Sequence, residues 1–261
     1  MTRIKIGFQC QPQHTDFDGM RRAWTEAEEL GADAIFNWDH FFPLYGDPDG
    51  LHYEAIATLG AMAQVTERAQ IGSLVICNSY RNPELLVDAH RTLDHISGGR
   101  AILGIGAGWF QKDYDEYGYD FGEARDRLAD LRQALPRIEA RKAKLNPQPI
   151  GDLPILIGGS GPKVTLKLVA KHGNMWHSFG DVDDFRAKDE ILRSHCADVG
   201  RNPDEIERTW GTHEGFDGAW ADEIVAAGVQ HLIVGIGGDG AKGYDLGRLR
   251  EALQWRDARG D

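Results

Sequence analysis

Residues 31–43 read Gly31-Ala32-Asp33-Ala34-Ile35-Phe36-Asn37-Trp38-Asp39-His40-Phe41-Phe42-Pro43. A helical pattern over 18–30 stops at Gly31, as helices commonly stop at glycine. A short apolar run follows and ends near Trp38. An Asp-His pair then leaves the carboxyl end of this strand between aromatic groups, and Pro43 closes the run. Helix, glycine, buried strand and polar pair together make a unit of a parallel α/β sheet. Ligands bind and chemistry is done at the carboxyl ends of such strands. An imidazole exchanges a proton near neutral pH, and aromatic faces suit a flat ring. The plainer reading of the pair is a hydrogen-bonded His that closes a strand.

The same unit recurs along the chain. Strand-like runs are expected over 4–9, 34–38, 69–77, 100–106, 154–158, 175–178, 206–212 and 230–234. Helical runs are expected over 18–30, 54–66, 83–96, 123–144, 163–171, 182–199, 217–227 and 246–257. Asn82 before Pro83 and Asp217 before an apolar-periodic run are start signals. Alternation throughout calls for a parallel sheet with helical crossovers, and eight repeats suit a closed (β/α)8 barrel. Residues 1–261 read as one such domain, because the Pro-rich stretch Asn146-Pro147-Gln148-Pro149 serves as a loop into the fifth strand. The polar end, Arg256 to Asp261, is expected to fray.

Composition narrows the function. The 261 residues carry 29 Lys+Arg against 41 Asp+Glu, a net charge of -12. An acidic chain without a basic run is a poor partner for nucleic acid. No apolar stretch is long enough to span a bilayer. Cys10, Cys77 and Cys196 are odd in number and widely spaced, without metal-ligand spacing, which fits a reducing cytoplasm. No metal is expected. His213-Glu214 lacks the second His of a zinc helix. Asp113, Glu116 and Asp120 read as solvated loop acids.

The remaining signals follow strand ends. Gly104-Ile105-Gly106-Ala107-Gly108 is glycine-rich but runs into Trp109-Phe110, which does not continue as a dinucleotide-binding helix. Gly158-Gly159-Ser160-Gly161-Pro162-Lys163 is a strand-to-helix turn of the kind that can cradle a phosphate or simply pack tightly.

With these segments in view, the chain resembles the luciferase-like superfamily of barrel oxidoreductases, in the branch that uses the deazaflavin coenzyme F420. Trp38-Asp39-His40-Phe41, Tyr80-Arg81-Asn82-Pro83, the run from Thr92 through Leu93-Asp94-His95-Ile96-Ser97-Gly98-Gly99-Arg100, Gly104 to Trp109, and Pro154 to Gly159 carry the likeness. It is strongest over residues 1–135. The resemblance implies a TIM-like barrel with F420 across its carboxyl mouth. Asp39 and His40 would then be catalytic and would lie beside the ring, with His40 as proton donor. Leu74-Val75 would be a non-prolyl cis peptide behind the ring. Gly106, Ala107 and Gly108 would make room for ring or phosphate, and Gly158, Gly159 and Ser160 would meet the phosphate tail.

Two features depart from the family pattern. Trp109-Phe110 stands where the sugar-phosphate dehydrogenases of this branch place a catalytic Glu, and the excursion before the fifth strand is shortened to about 143–153. Gly173-Asn174-Met175-Trp176 is also a looser match to the alanine-Asp-Gly-Trp of the family pattern. The expected function is hydride transfer between F420 and a small organic substrate by a cytoplasmic homodimer. An FMN-dependent flavin monooxygenase and a non-catalytic F420-binding protein are the alternatives.

Overall fold

Strands buried on both faces tend to be apolar; Ala101–Gly106 is so throughout, whereas Glu207–Thr212 buries Arg208 and Thr209 and anchors them by hydrogen bonds. The computed structural model describes residues 3–212, 215–240 and 242–259. The order is β1 (Lys5–Gln11), α1 (Phe17–Leu30), β2 (Ala34–Asn37), α2 (Ala55–Val65), β3 (Gln70–Ser73), β4 (Ile76–Cys77), α3 (Pro83–Ser97), β5 (Ala101–Gly106), α4 (Gln111–Tyr117), α5 (Ala124–Lys142), β6 (Ile155–Gly158), α6 (Thr165–His172), β7 (Met175–Phe179), α7 (Val182–Val199), β8 (Glu207–Thr212), α8 (Gly218–Ala227), β9 (His231–Gly237) and α9 (Gly247–Ala258). All ladders are parallel. They run β3-β2-β1-β9-β8-β7-β6-β5-β4, and β3 also pairs with β5, so the sheet closes into an eight-stranded barrel.

The expected elements are present, with two differences. The third strand is interrupted between β3 and β4, where Leu74-Val75 is a cis peptide as the resemblance implied. A helix that sequence periodicity does not announce, α4, follows the fourth-strand glycines. The chain end also differs from expectation. Helix α9 continues to Ala258, and Arg256 is buried against Asp33 at 2.8 Å and the Gly31 carbonyl at 3.1 Å. A cation that reaches back into the barrel wall holds the last turn in place. His213-Glu214 lies outside the described residues.

Outward-facing strand residues such as Ile6, Phe8, Ile35, Ile105, Ile157, Trp176, Trp210 and Val234 pack under the helices. Inward-facing Ala34, Phe36, Leu74, Ile102, Leu156, Met175 and Ile233 fill the barrel. The amino end is closed by charge: Glu207 bonds Lys5 at 2.7 Å and His231 at 2.9 Å.

The segment from Leu93 to Arg100 explains itself as structure. Asp94, fully buried, accepts from the Ile150 and Gly151 amides at 2.7 and 3.0 Å. Arg100 donates to the Ala69 and Thr66 carbonyls, both at 2.6 Å, and to the Ser97 carbonyl at 2.7 Å. This run therefore ties the ends of α2 and α3 and the loop before β6 at the amino end of β5.

Candidate active site

The mouth of the barrel is built where β2, β4 and β5 end. Trp38, Asp39 and His40 leave β2 with Asp39 almost fully buried. Arg81 grips the Asp39 carboxylate with two nitrogens, at 2.5 and 2.9 Å, and the Cys77 amide adds a bond at 2.9 Å. Burial pushes this carboxyl up, while Arg81 pulls it back down. The same guanidinium also holds Glu54 at 2.5 Å. Asp39 is thus occupied in bracing β2 against the turn after β4, as a bidentate Arg–carboxylate pair does well.

His40 is placed differently. Its Nδ1 lies 2.7 Å from Asp113 Oδ2, and among the described residues nothing bonds its Nε2. Trp38, Trp109 and Phe110 surround the ring edge-on at 6.0, 5.7 and 5.4 Å. Asp113 comes from α4 and is fully buried, not a solvated loop acid as expected. It also accepts from Tyr80 Oη at 2.9 Å and the Phe41 amide at 3.0 Å. Tyr80 is held protonated by burial and by the neighbouring Cys77 and Asp113. His52 adjoins this group. Trp38 Nε1 donates to His52 Nε2 at 3.1 Å, so that nitrogen carries no proton. Burial, with the nearby His40, brings His52 down to about 4.

The floor under these groups is the cis unit. Gln9 Nε2 holds the Leu74 carbonyl at 3.2 Å. The Val75 methyls fill the space that a Cβ would need at Gly106 and Gly158, 2.6 and 2.8 Å from where it would sit. A Cβ at Gly108 would meet Tyr114 Oη and Cys77 Sγ. These glycines therefore make room first for the chain's own side chains, and half-buried Val75 and Ala107 present the surface. Trp109, 63% exposed, stands on the rim.

Residues 3–214 match the family described as luciferase-like monooxygenase. The chain belongs to that family. Relatives include the F420-dependent glucose-6-phosphate dehydrogenase of Amycolatopsis mediterranei (strain U-32), 29% identical over 188 residues, which cover 66% of this chain and 56% of that protein. The enzyme of the same description from Kineococcus radiotolerans is 29% identical over 234 residues, 82% of this chain and 68% of that protein. The chain thus matches about half to two thirds of the length of these two relatives. An F420-dependent secondary alcohol dehydrogenase in complex with an F420-acetone adduct superposes with a TM-score of 0.83 at 15% identity, over 98% of this chain and 99% of that one. The F420-dependent tetrahydromethanopterin reductase of Methanopyrus kandleri gives 0.75 at 16%, over 97% of each. At such identity these structures speak for the fold alone.

Within this luciferase-like chain the turn after β6 is the remaining expected site. Gly159 has φ +116. Its N–H is taken by the His177 carbonyl at 2.9 Å and its carbonyl by Trp176 Nε1 at 2.8 Å. An anion here would have to turn to Ser160 and the residues after it. Helix α6 begins there without a side-chain cap, whereas α1, α3 and α7 are capped by Asp16, Asn82 and Asp181. Of its first amides, that of Leu166 is taken by the Gly161 carbonyl at 3.0 Å, and Lys163 precedes the helix by two positions. Asp113, His52 and Tyr80 were missed in the sequence. The motif Tyr80-Arg81-Asn82-Pro83 held the available signal, since it pairs with Asp113 and Asp39 and starts α3.

Proposed function

We propose that this luciferase-like chain is an F420-dependent oxidoreductase that moves a hydride between the deazaflavin and a small organic substrate. The observation that carries the reading is His40: a partly buried imidazole at the strand carboxyl ends, anchored at Nδ1 and unbonded at Nε2. The residues present suit such a cofactor. A flat, apolar floor is raised by Val75 and Ala107, and an uncapped helix start with Ser160 and Lys163 can receive a phosphate. When bound, F420 supplies the hydride chemistry. His40 Nε2 takes or gives the proton that accompanies the hydride. Trp38, Trp109 and Phe110 shield that proton from water, while Asp39 and Arg81 keep the end of β2 in place. Glucose 6-phosphate is not carried over as substrate, because Trp109-Phe110 stands where the resemblance puts the catalytic Glu of sugar-phosphate dehydrogenases.

Calorimetric titration with F420 and with FMN tests the reading. Micromolar or tighter binding of F420, with weaker binding of FMN, is expected. Tight FMN and no F420 would overturn it.

A further inference from the structure

We propose that Asp113 is a positioning residue that holds the proton of neutral His40 on Nδ1, so that the lone pair of Nε2 faces the mouth. Three donors converge on this buried carboxylate: the Phe41 amide on Oδ1, and Tyr80 Oη and His40 Nδ1 on Oδ2. A carboxylate accepts and does not donate, so the imidazole nitrogen that faces it is the one bearing hydrogen. The other contacts are fixed. Phe41 offers a backbone N–H, which can only donate. Tyr80 donates to the same oxygen as His40 and leaves Oδ2 no reason to release it. Around the ring stand Trp38, Trp109 and Phe110, and none of them accepts a hydrogen bond in the ring plane. The nearby His52 has its Nε2 filled by Trp38 Nε1–H. Among the described residues the only anchored edge of His40 is therefore the Asp113 edge.

The arrangement has a chemical consequence. A ring free to exchange tautomers offers Nε2 as a base only part of the time, and free imidazole side chains favour hydrogen on Nε2. With Nδ1–H fixed, Nε2 is the accepting atom whenever His40 is neutral, and the donor when it is charged. Asp113 acts through His40 and touches no reacting atom. The location of α4 makes this possible: the helix follows β5 but reaches over to β2, and Lys112 of the same turn bonds the Pro48 carbonyl at 2.8 Å. The helix is thus clamped to the loop that follows His40.

The inference rests on the proposed role of His40, but its test does not need the cofactor. Nitrogen-15 spectra of histidine-labelled protein, with His40 assigned by its absence in His40→Gln, report which ring nitrogen bears hydrogen. At a pH where His40 is neutral, the wild type is expected to show a protonated-type Nδ1 and a lone-pair-type Nε2. In Asp113→Asn, an amide N–H set against Phe41 N–H is disfavoured on one flip, and set against His40 it needs an acceptor on the other. The His40 signals should accordingly move toward the Nε2–H form. Tyr80→Phe keeps the carboxylate and should leave the tautomer unchanged. A folded Asp113→Asn with the wild-type tautomer would overturn the proposal. So would a wild-type His40 with hydrogen on Nε2, which decides the matter even if the variant does not fold. F420 titration of the same samples separates the two ideas. A wild type with the expected tautomer that binds no F420 sinks the cofactor reading and leaves Asp113 in its role, and an Asp113→Asn that binds F420 within threefold of wild type supports positioning over general disruption.

Discussion

His40 and Asp113 lie 73 positions apart in the chain and 2.7 Å apart in the fold. If His40 handles the proton, its loss should act on turnover more than on binding. His40→Ala is expected to lower kcat on the order of 10²–10⁴-fold with F420 affinity little changed. Steady-state rates with reduced F420, set against calorimetric affinities, check this; an unchanged kcat leaves His40 a packing residue. The pair of Asp39 and Arg81 predicts the reverse pattern. Arg81→Met leaves a carboxylate buried without its partner, and breaking a buried ion pair on one side costs about 3–5 kcal/mol. Urea unfolding should show a loss of that order, and a loss under about 1 kcal/mol would mean that the carboxyl simply takes up a proton. Asp39 and His40 were legible in sequence because they follow a recognisable strand. Asp113 was not, since Lys112-Asp113-Tyr114-Asp115-Glu116 has the composition of a solvated loop. Its burial comes from Tyr80 and Phe41, which no local pattern brings near.

Among the elements, the strands and long helices were readable because each buries one stripe or both faces against the next, which leaves a period in the sequence. The seven residues of α4 are too few for such a period, and the interruption of the third strand is set by its neighbours. Gly104 shows how closely they approach: a Cβ there would sit 2.0 Å from the Ser73 carbonyl oxygen. Gly104→Ala should therefore destabilise by at least about 2–3 kcal/mol, as overfilling a packed wall does. Gly60 is the contrast. It lies within α2 with no atom inside 4 Å of an added Cβ. Gly60→Ala should stabilise by about 0.5–1 kcal/mol through helix propensity. Thermal or urea unfolding of the two variants tests the pair together, and equal effects would mean that the spacing of β3 and β5 does not bear on stability.

At the scale of the whole molecule, stability should respond to acid in two stages. Burial brings His52 and His90 down from 6.5 to about 4. The unfolded chain therefore binds protons at these sites before the folded one does, and stability falls as the pH drops from 6.5 toward 4. Glu207 adds a second stage. Burial alone would raise it, but His231 and Lys5 outweigh that and hold it at about 2. Its contribution is present above 4.5 and is lost as the pH falls toward 2. His90→Leu should make the first stage shallower, since His90 Nε2 has no partner to lose. Unfolding midpoints measured across that range check this, and an unaltered slope would show that His90 charges freely in the folded protein. The cluster of Lys5, Glu207 and His231 has another consequence. It stoppers the amino end of the barrel, and the side chains above it fill the bore, so among the described residues that end offers a guest no way in. Whatever this protein holds is met at the other rim, among His40, Val75 and Trp109, and the stopper acts as a foundation and not as a threshold.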